Sequence, residues 1–202
     1  MTPLLSIIIP HKITRLNNEA MLLNIAMLNE NTVSPFELII DTEAPKCPYQ
    51  IWNEVAKTAR GKFLVFSNTD VLMAPDWDVY MLACKPNTIV TGYLVEPGNI
   101  GVAPVNVHKD FGRSPASFRR QEFEDYAVNS IVPEIKVERA WYMPCCVDKE
   151  WFLSTGGFDT SKGSFPTPLD IIFFDRCRDE LGTKFLRADS WAYHFQNLSG
   201  RE

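Results

Sequence analysis

The sequence predicts an α/β domain with a mostly parallel central sheet flanked by helices, and three observations predict it. Short unbroken apolar runs recur at Ser6–Pro10, Phe36–Asp41 and Phe63–Phe66, the composition of strands buried on both faces. Segments between them carry apolar residues at three-to-four spacing, as helices packed on a sheet do. Each run closes on proline or on a polar, acidic tip. Strand and helix therefore alternate, which is the order that sets strands parallel.

Taken in order, Ser6-Ile-Ile-Ile-Pro10 is the first strand, and Leu16, Ala20, Leu23 and Met27 mark one face of a helix over 16–28. Phe36–Asp41 repeats the design, an apolar strand ending in a carboxylate. Tyr49–Ala59 is the second helix with Gly61 as its stop, and Lys62–Ser67 is the third strand. Pro75, with Asp76 and Asp78 after it, suits a helix start, since proline is tolerated in the first turn and acids favour the positive end of the helix dipole. Thr88–Val95 is a fourth strand.

The second half is less regular. Glu96–Ser117 holds three glycines and three prolines, and so long a loop in a compact domain is usually functional or disordered. Phe118–Ile131 suits a helix, Arg139–Val147 a strand, and Lys149–Thr155 a helical turn stopped by Gly156-Gly157. Thr167-Pro168-Leu169-Asp170 opens the last helix, with Ile172, Phe173, Cys177 and Leu181 on its apolar side. Thr167 as N-cap and Asp170 closing a capping box would account for that start without any chemistry. Ser190–Phe195 alternates as a strand and carries His194.

At 202 residues and 46% hydrophobic the chain can bury one sizeable core, and we expect a single domain over 1–202 with halves at 1–95 and 96–202. A formal charge of −5 gives no general attraction to nucleic acid or anionic membrane. The exception is local: Lys109, Arg113, Arg119 and Arg120 stand near His108 against Asp110 alone. Cys47, Cys84, Cys145, Cys146 and Cys177 lack the paired spacing of a zinc site or a disulfide framework, so reduced thiols and a cytoplasmic location are expected. No apolar run approaches the roughly eighteen residues that span a bilayer.

Chemistry enters at Asn68-Thr69-Asp70. A carboxylate at the carboxyl end of a core strand lies where α/β folds place ligands, and a short oxygen-rich tip suits a hard divalent cation carrying phosphates. The plain alternative is a strand-ending turn, for which these residue types are equally ordinary.

With those residues in place, the chain resembles the inverting glycosyltransferases of family 2, which have the GT-A fold. Ser6–Pro10 is similar to that family's opening strand, and Asn53-x-x-Ala56-x-x-Ala59-x-Gly61 to the helix before its metal motif. Ser67-Asn-Thr-Asp70 resembles its DXD-type motif, Gly156-Gly-Phe-Asp159 a signature before its catalytic helix, and His194 with Ser199 its carboxy-terminal element. The order and spacing of these motifs carry the resemblance. Two departures stand out: Asp41 is followed by Thr42 where the family has a second acid, and Leu169-Asp170-Ile-Ile172 keeps one acid where it has several.

The resemblance implies a nucleotide-binding half at 1–95 and an acceptor half at 96–202. It implies a donor nucleotide sugar, a UDP-sugar first, and Mn2+ or Mg2+ bound by Asp70 and His194. Asn68 would assist through ribose or water, Asp41 would read the base, and Pro10 and His11 would flank base and phosphates. Gly156 and Gly157 would let the backbone pass close to the sugar. Asp170 takes the place of the general base, with Asp159 or Asp175 as competitor if the alignment slips. Trp141, Tyr142 and Trp151 are candidates for stacking on sugar rings. The basic stretch from His108 to Arg120 suits an acceptor glycan, a lipid-linked or phosphate-bearing acceptor, or modified nucleic acid. Two rival functions are a sugar-1-phosphate nucleotidyltransferase, against which Pro10-His-Lys-Ile lacks a glycine-rich phosphate loop, and a binding module that has lost turnover.

Overall fold

The apolar runs at Ser6–Pro10 and Phe63–Phe66 lie at the centre of the molecule, as their composition demands, whereas Phe36–Asp41, expected to be buried on both faces, is an edge strand and half-buried throughout. The structure, a computed structural model, describes residues 2–42, 47–99, 101–103, 105–130, 135–136, 143–163 and 168–196. Its elements are β1 (Leu5–Pro10), α1 (Arg15–Asn31), β2 (Phe36–Asp41), α2 (Pro48–Thr58), β3 (Phe63–Phe66), β4 (Val71–Met73), α3 (Trp77–Met81) and β5 (Thr88–Glu96). There follow β6 (Val107–His108), α4 (Arg120–Asn129), β7 (Ile135–Lys136), β8 (Cys145–Asp148), α5 (Lys149–Ser154), α6 (Leu169–Asp179) and β9 (Lys184–His194). One sheet runs β2-β1-β3-β8-β5-β9-β4, with β6 beside β5 and β7 beside β9.

The expected mostly parallel sheet is corrected to a mixed one. Among the described residues four pairings are parallel, β1–β2, β1–β3, β5–β6 and β5–β9. Four are antiparallel, β3–β8, β5–β8, β4–β9 and β7–β9. The physical reason lies in where two strands begin. β4 starts at Val71, five residues after β3 ends at Phe66, so it leaves the edge where β3 stops and has no crossover that would reverse it. β8 likewise starts at Cys145 opposite Phe66 and runs back along β3. β1, β2, β3, β5 and β9 still point their carboxyl ends at one edge, because β8 opposes both β3 and β5.

Two faces of the sheet are covered differently. On one, Ile8, Phe66 and Ile89 meet Trp52 of α2, Phe152 of α5 and Phe173, Phe174 and Cys177 of α6. Phe173 and Cys177 are buried as expected, whereas Leu181 lies past the helix and is exposed. On the other face, α1 buries two apolar rows that the sequence shows only in part. Ala20 and Met27, flanked by Leu16 and Leu23, form one, and Met21 and Leu28, flanked by Ile25, form the second.

Between those rows stand Asn17, Asn24 and Asn31, all buried, repeating every seventh residue down the middle of the covered arc. Each side-chain amide donates to a backbone carbonyl: Asn17 to Lys12 at 2.9 Å, Asn24 to Asn68 and Thr69 at 3.2 and 3.1 Å, and Asn31 to Met73 at 2.8 Å. Polar residues occupy the helix face because loop carbonyls and the outer carbonyl of edge strand β4 lie opposite them, and buried carbonyls require donors. Asn24→Ala is expected to lower unfolding free energy by about 1–3 kcal/mol, the cost of a buried polar group losing its partner. Asn29→Ala on the exposed side should stay within about 0.5 kcal/mol, and urea denaturation of the two compares them directly.

α3 starts where the sequence places a helix, with Asp78 in its first turn, although Pro75 stands before the helix and not inside it. Asp76 sits in the left-handed region at φ 58° and Asp78 is fully buried. Its carboxylate accepts from Val33 N at 3.0 Å and Ser34 N at 2.9 Å, holding the chain that leaves α1.

The long loop after β5 also differs. Phe111, Phe118 and Phe123 pack on Tyr193, Phe118 also on Phe195, and Tyr126 on Phe111 and Trp191, and the Tyr193 hydroxyl donates to Gly112 O at 2.6 Å while accepting from Phe111 N at 3.1 Å. Burial raises the Tyr193 hydroxyl to about 12, keeping it a donor. Gly112, at φ 125°, has Ser117 O only 2.3 Å from where a Cβ would stand. The segment is thus a packed cover for the sheet and not a structureless span. Its cations have local partners: Arg113 pairs with Asp110, Arg119 with Glu122, Arg120 with Glu30 and Glu124, and Lys109 lies 3.9 Å over the Tyr126 ring. All five cysteines are buried and free of disulfides. Among the described residues no helix is long and apolar enough to cross a membrane.

Candidate functional site

Pro10, His11, Asp41, Asn68, Asp70 and His194 gather along the edge where β1, β2, β3, β5 and β9 end. Pro10 lies opposite Asp41 in the β1–β2 register, and His11 N donates to Asp41 O at 2.8 Å. The His11 ring sits between Thr69 Oγ1 at 3.2 Å through Nδ1 and Asn18 Oδ1 at 2.9 Å through Nε2. Thr69 Oγ1 in turn donates to Pro10 O at 3.3 Å. The first strand's tip and the Asn-Thr-Asp tip are therefore one hydrogen-bonded unit.

Asn68, Thr69 and Asp70 form a tight turn closed by Val71 N to Asn68 O at 3.3 Å. Asn24 holds two of its carbonyls from below, and Phe195 N donates to Asp70 O at 3.1 Å. Because Val71 is paired with His194, the turn carries Asp70 to the end of β9. Asp70 Oδ2 and His194 Nε2 face each other at 3.5 Å, with side chains 14% and 21% exposed. The other ring nitrogen, Nδ1, lies 2.8 Å from Glu96 Oε1 at the end of β5. Asn106 Nδ2 donates to Glu96 Oε2 at 2.8 Å.

Charge follows from that arrangement. Burial pushes the His194 imidazole down, but Asp70 and Glu96 outweigh it by charge and hydrogen bonding and raise it to about 9. The folded value lies above the ordinary 6.5. The stabilisation from the imidazolium between its carboxylates is therefore complete below about 6.5 and disappears as pH rises through about 9. The ceiling is roughly 3 kcal/mol at about 1.4 kcal/mol per unit. With chelator present, Tm should fall between pH 6.5 and 9 relative to His194→Ala, as a thermal melt series would read.

The site fits a divalent ion. At 3.5 Å the Asp70–His194 contact is a long and weak hydrogen bond. Two donors about 2.1 Å from one cation stand roughly 3 to 3.5 Å apart when they are neighbours in its coordination sphere. Among the described residues no three His, Cys, Asp or Glu side chains form a ready cage. A two-residue site of this kind suits an ion whose remaining ligands are phosphate oxygens and water.

Asp170 lies at the start of α6 and its role as a cap is corrected. Pro168 occupies the N-cap position without a side-chain cap bond, and Thr167 lies outside the described residues. Asp170 Oδ1 accepts from the Tyr49 hydroxyl of α2 at 2.9 Å. Burial, with the Asp170 charge and hydrogen bond adding to it, raises the Tyr49 hydroxyl well above its usual range and keeps it a donor. Asp170 also lies within electrostatic reach of Cys145, which stands opposite Phe66 at the end of β3.

The competing acids lie elsewhere. Asp159 caps a short turn through Ser161, and Asp175 pairs with Arg178 at 2.8 Å. Both line a surface groove of about 460 Å³ with Lys162, Arg176, Asp179 and Glu180. Asp175 is five residues from Asp170, about 140° round the helix.

Gly156 and Gly157 have positive φ, 80° and 69°. A Cβ on Gly157 would meet Asn53 Oδ1 at 2.3 Å, because the Asn53 amide brackets Phe158 through its N–H at 2.9 Å and its carbonyl at 2.7 Å. Arg176 donates to Thr155 O and Gly157 O at 3.0 and 2.8 Å. The turn thus drives Phe158 among Tyr49, Trp52, Phe66 and Phe173, on the side of the fold that carries Asp170. Trp151 packs against the same cluster, and Trp141, Tyr142 and Ser199 lie outside the described residues.

Sequence reasoning missed Glu96, Asn24, Tyr49 and Asn106. Glu96 had a signal: it follows the predicted fourth strand as Asp41 ends the second. Asn24 was hidden inside a helix read for its apolar face.

No protein-family model matches the chain, and no curated protein matches it. Among solved structures, that of GalNAc-T7 with UDP, GalNAc and Mn2+ is similar, with a TM-score of 0.64 at 8% identity over 96% of this chain. The chain spans 44% of the length of that protein. The fold is therefore an α/β arrangement with a mixed sheet, similar to that of a GT-A glycosyltransferase.

Proposed function

We propose that the chain is a glycosyltransferase that moves a sugar from a nucleotide diphosphate donor to an acceptor hydroxyl, with Mn2+ or Mg2+ and with inversion. The observation that carries it is the placement of Asp70 Oδ2 and His194 Nε2 at 3.5 Å along the carboxyl edge of the sheet. That edge belongs to a fold shared with a protein solved with UDP, GalNAc and Mn2+, which makes a UDP-sugar the first donor to test.

In this reading Asp70 and His194 hold the ion, which when bound supplies Lewis-acid neutralisation of the departing diphosphate. Asp41 accepts a hydrogen bond from the base, and Pro10 and His11 flank base and phosphates. Asn68, a neutral donor and acceptor, contacts ribose or an ordered water. Gly156, where an added Cβ would meet none of the described residues within 4 Å, and Gly157 border the sugar. Asp170 takes the acceptor proton on Oδ2, while Tyr49 holds Oδ1 and so fixes the carboxylate plane. A single carboxylate in that role gives one displacement, and therefore inversion.

Thermal stabilisation tests the proposal. A ligand present at about a hundred times its Kd adds about 2.7 kcal/mol of stability, so UDP with Mn2+ should raise Tm by several degrees and UDP with chelator much less. Equal stabilisation in both arms would reject the metal-dependent reading. Metal-dependent binding with no turnover across UDP-sugars would favour the binding module.

A further inference from the structure

We propose that Glu96 is a positioning residue that fixes the His194 ring so that Nε2 faces the ion, and that Asn106 fixes Glu96 in turn. This rests on the ion-site reading above and extends it to side chains that touch neither donor nor ion.

Three observations converge. Glu96 is 5% exposed, and a carboxylate so buried is costly unless it is paired and hydrogen-bonded. It spends one oxygen on His194 Nδ1 at 2.8 Å and the other on Asn106 at 2.8 Å. With Nδ1 bonded to a carboxylate, Nδ1 carries hydrogen and the lone pair is left on Nε2 once the ring is neutral. Nε2 is the nitrogen aimed at Asp70. A carboxylate behind a ligating imidazole raises its basicity and locks its orientation, and its loss typically weakens metal affinity about 10- to 100-fold.

The surrounding loop serves the same end. Asn99 N donates to Gln196 Oε1 and Asn99 Nδ2 to Phe195 O, both at 2.8 Å. The residues immediately after His194 are thus tied to the chain that follows Glu96. Gln196 adopts φ 58° and is 2% exposed, an unfavourable conformation for a residue with a side chain, held in place by those bonds. Asn106 has a second use: its Oδ1 is buried without a hydrogen-bond partner among the described residues. In Glu96→Gln, the Asn106 amide can turn over and accept from the new NH2, leaving the glutamine oxygen to accept from His194.

Mn2+ titration in the presence of UDP, followed by the electron paramagnetic resonance of free Mn2+, tests the proposal as a double-mutant cycle. Glu96→Leu should weaken Mn2+ binding about 10- to 100-fold when His194 is present and less than about twofold in the His194→Ala background, because removing the ring removes what Glu96 acts on. Glu96→Gln should recover most of the loss. An equal penalty in both backgrounds would overturn positioning in favour of direct ligation or a purely structural role, as would an unchanged affinity in Glu96→Leu where His194→Ala weakens it. Should Glu96→Leu not fold, no recovery in a folded Glu96→Gln would overturn the proposal equally. Wild-type protein that binds no Mn2+ with UDP, or a His194→Ala variant that binds it normally, would instead reject the ion-site reading itself, and positioning with it.

Discussion

Asp70→Ala is expected to abolish the Mn2+ dependence of UDP binding, with an affinity loss of at least about 100-fold by calorimetry. The magnitude follows from its place. Losing a partner behind a ligand costs about 10- to 100-fold, and Asp70 is one of only two protein groups proposed to touch the ion. The variant leaves His194 beside Glu96, so a residual metal-independent affinity for UDP through the β1 and β2 tips should remain. Asp70→Asn, which keeps the shape and loses the charge, should fall nearly as far. Wild-type affinity in Asp70→Ala would remove the carboxylate from the site.

Asp170→Asn is expected to bind UDP and Mn2+ within about twofold of wild type while transfer falls about 10²- to 10⁴-fold, the usual contribution of a general base. An amide can still accept from Tyr49 but cannot take the acceptor proton at neutral pH. Asp159→Asn and Asp175→Asn should keep wild-type transfer, because Asp159 serves a turn and Asp175 an ion pair on another side of α6. Tyr49→Phe should cost only a few-fold, since it removes one hydrogen bond from the carboxylate and leaves the base. A glycosyl transfer or donor-hydrolysis assay over a panel of UDP-sugars separates these outcomes. Full turnover by Asp170→Asn would move the base elsewhere.

The contrast between the two halves of the chain explains what the sequence made legible. Strand and helix in the first 95 residues follow from local pattern: Ser6–Pro10, Phe36–Asp41 and Tyr49–Ala59 fall within a residue or so of β1, β2 and α2. β4 has three residues, too few for any period to register. Strand direction was misjudged because alternation of elements says nothing about β4 and β8, whose sense is set by the edge at which each begins. The covering segment over 105–118 was opaque for a related reason: Phe111 and Phe118 lie in irregular chain, and only the fold brings them, with Phe123 of α4, onto Tyr193.

The candidate site was legible where a residue ends a strand and illegible where it acts through another. Asp41, Asp70 and His194 announce themselves as polar groups closing apolar runs. The Asn24 amide that grips the Asn68 and Thr69 carbonyls, and the Glu96 carboxylate behind His194, depend on neighbours 45 and 98 residues away. No local pattern reports such distances. Gly156-Gly157 shows the converse, a motif visible in sequence whose immediate structural work is to turn the chain, with Arg176 holding Gly157 O and Asn53 holding Phe158.

The most direct test is a crystal soaked with UDP and MnCl2, with anomalous diffraction recorded above and below the manganese edge. One anomalous peak is expected about 2.1 to 2.3 Å from both Asp70 Oδ2 and His194 Nε2, with diphosphate oxygens completing its sphere. UDP bound with no manganese near Asp70, or manganese bound away from His194, would contradict it.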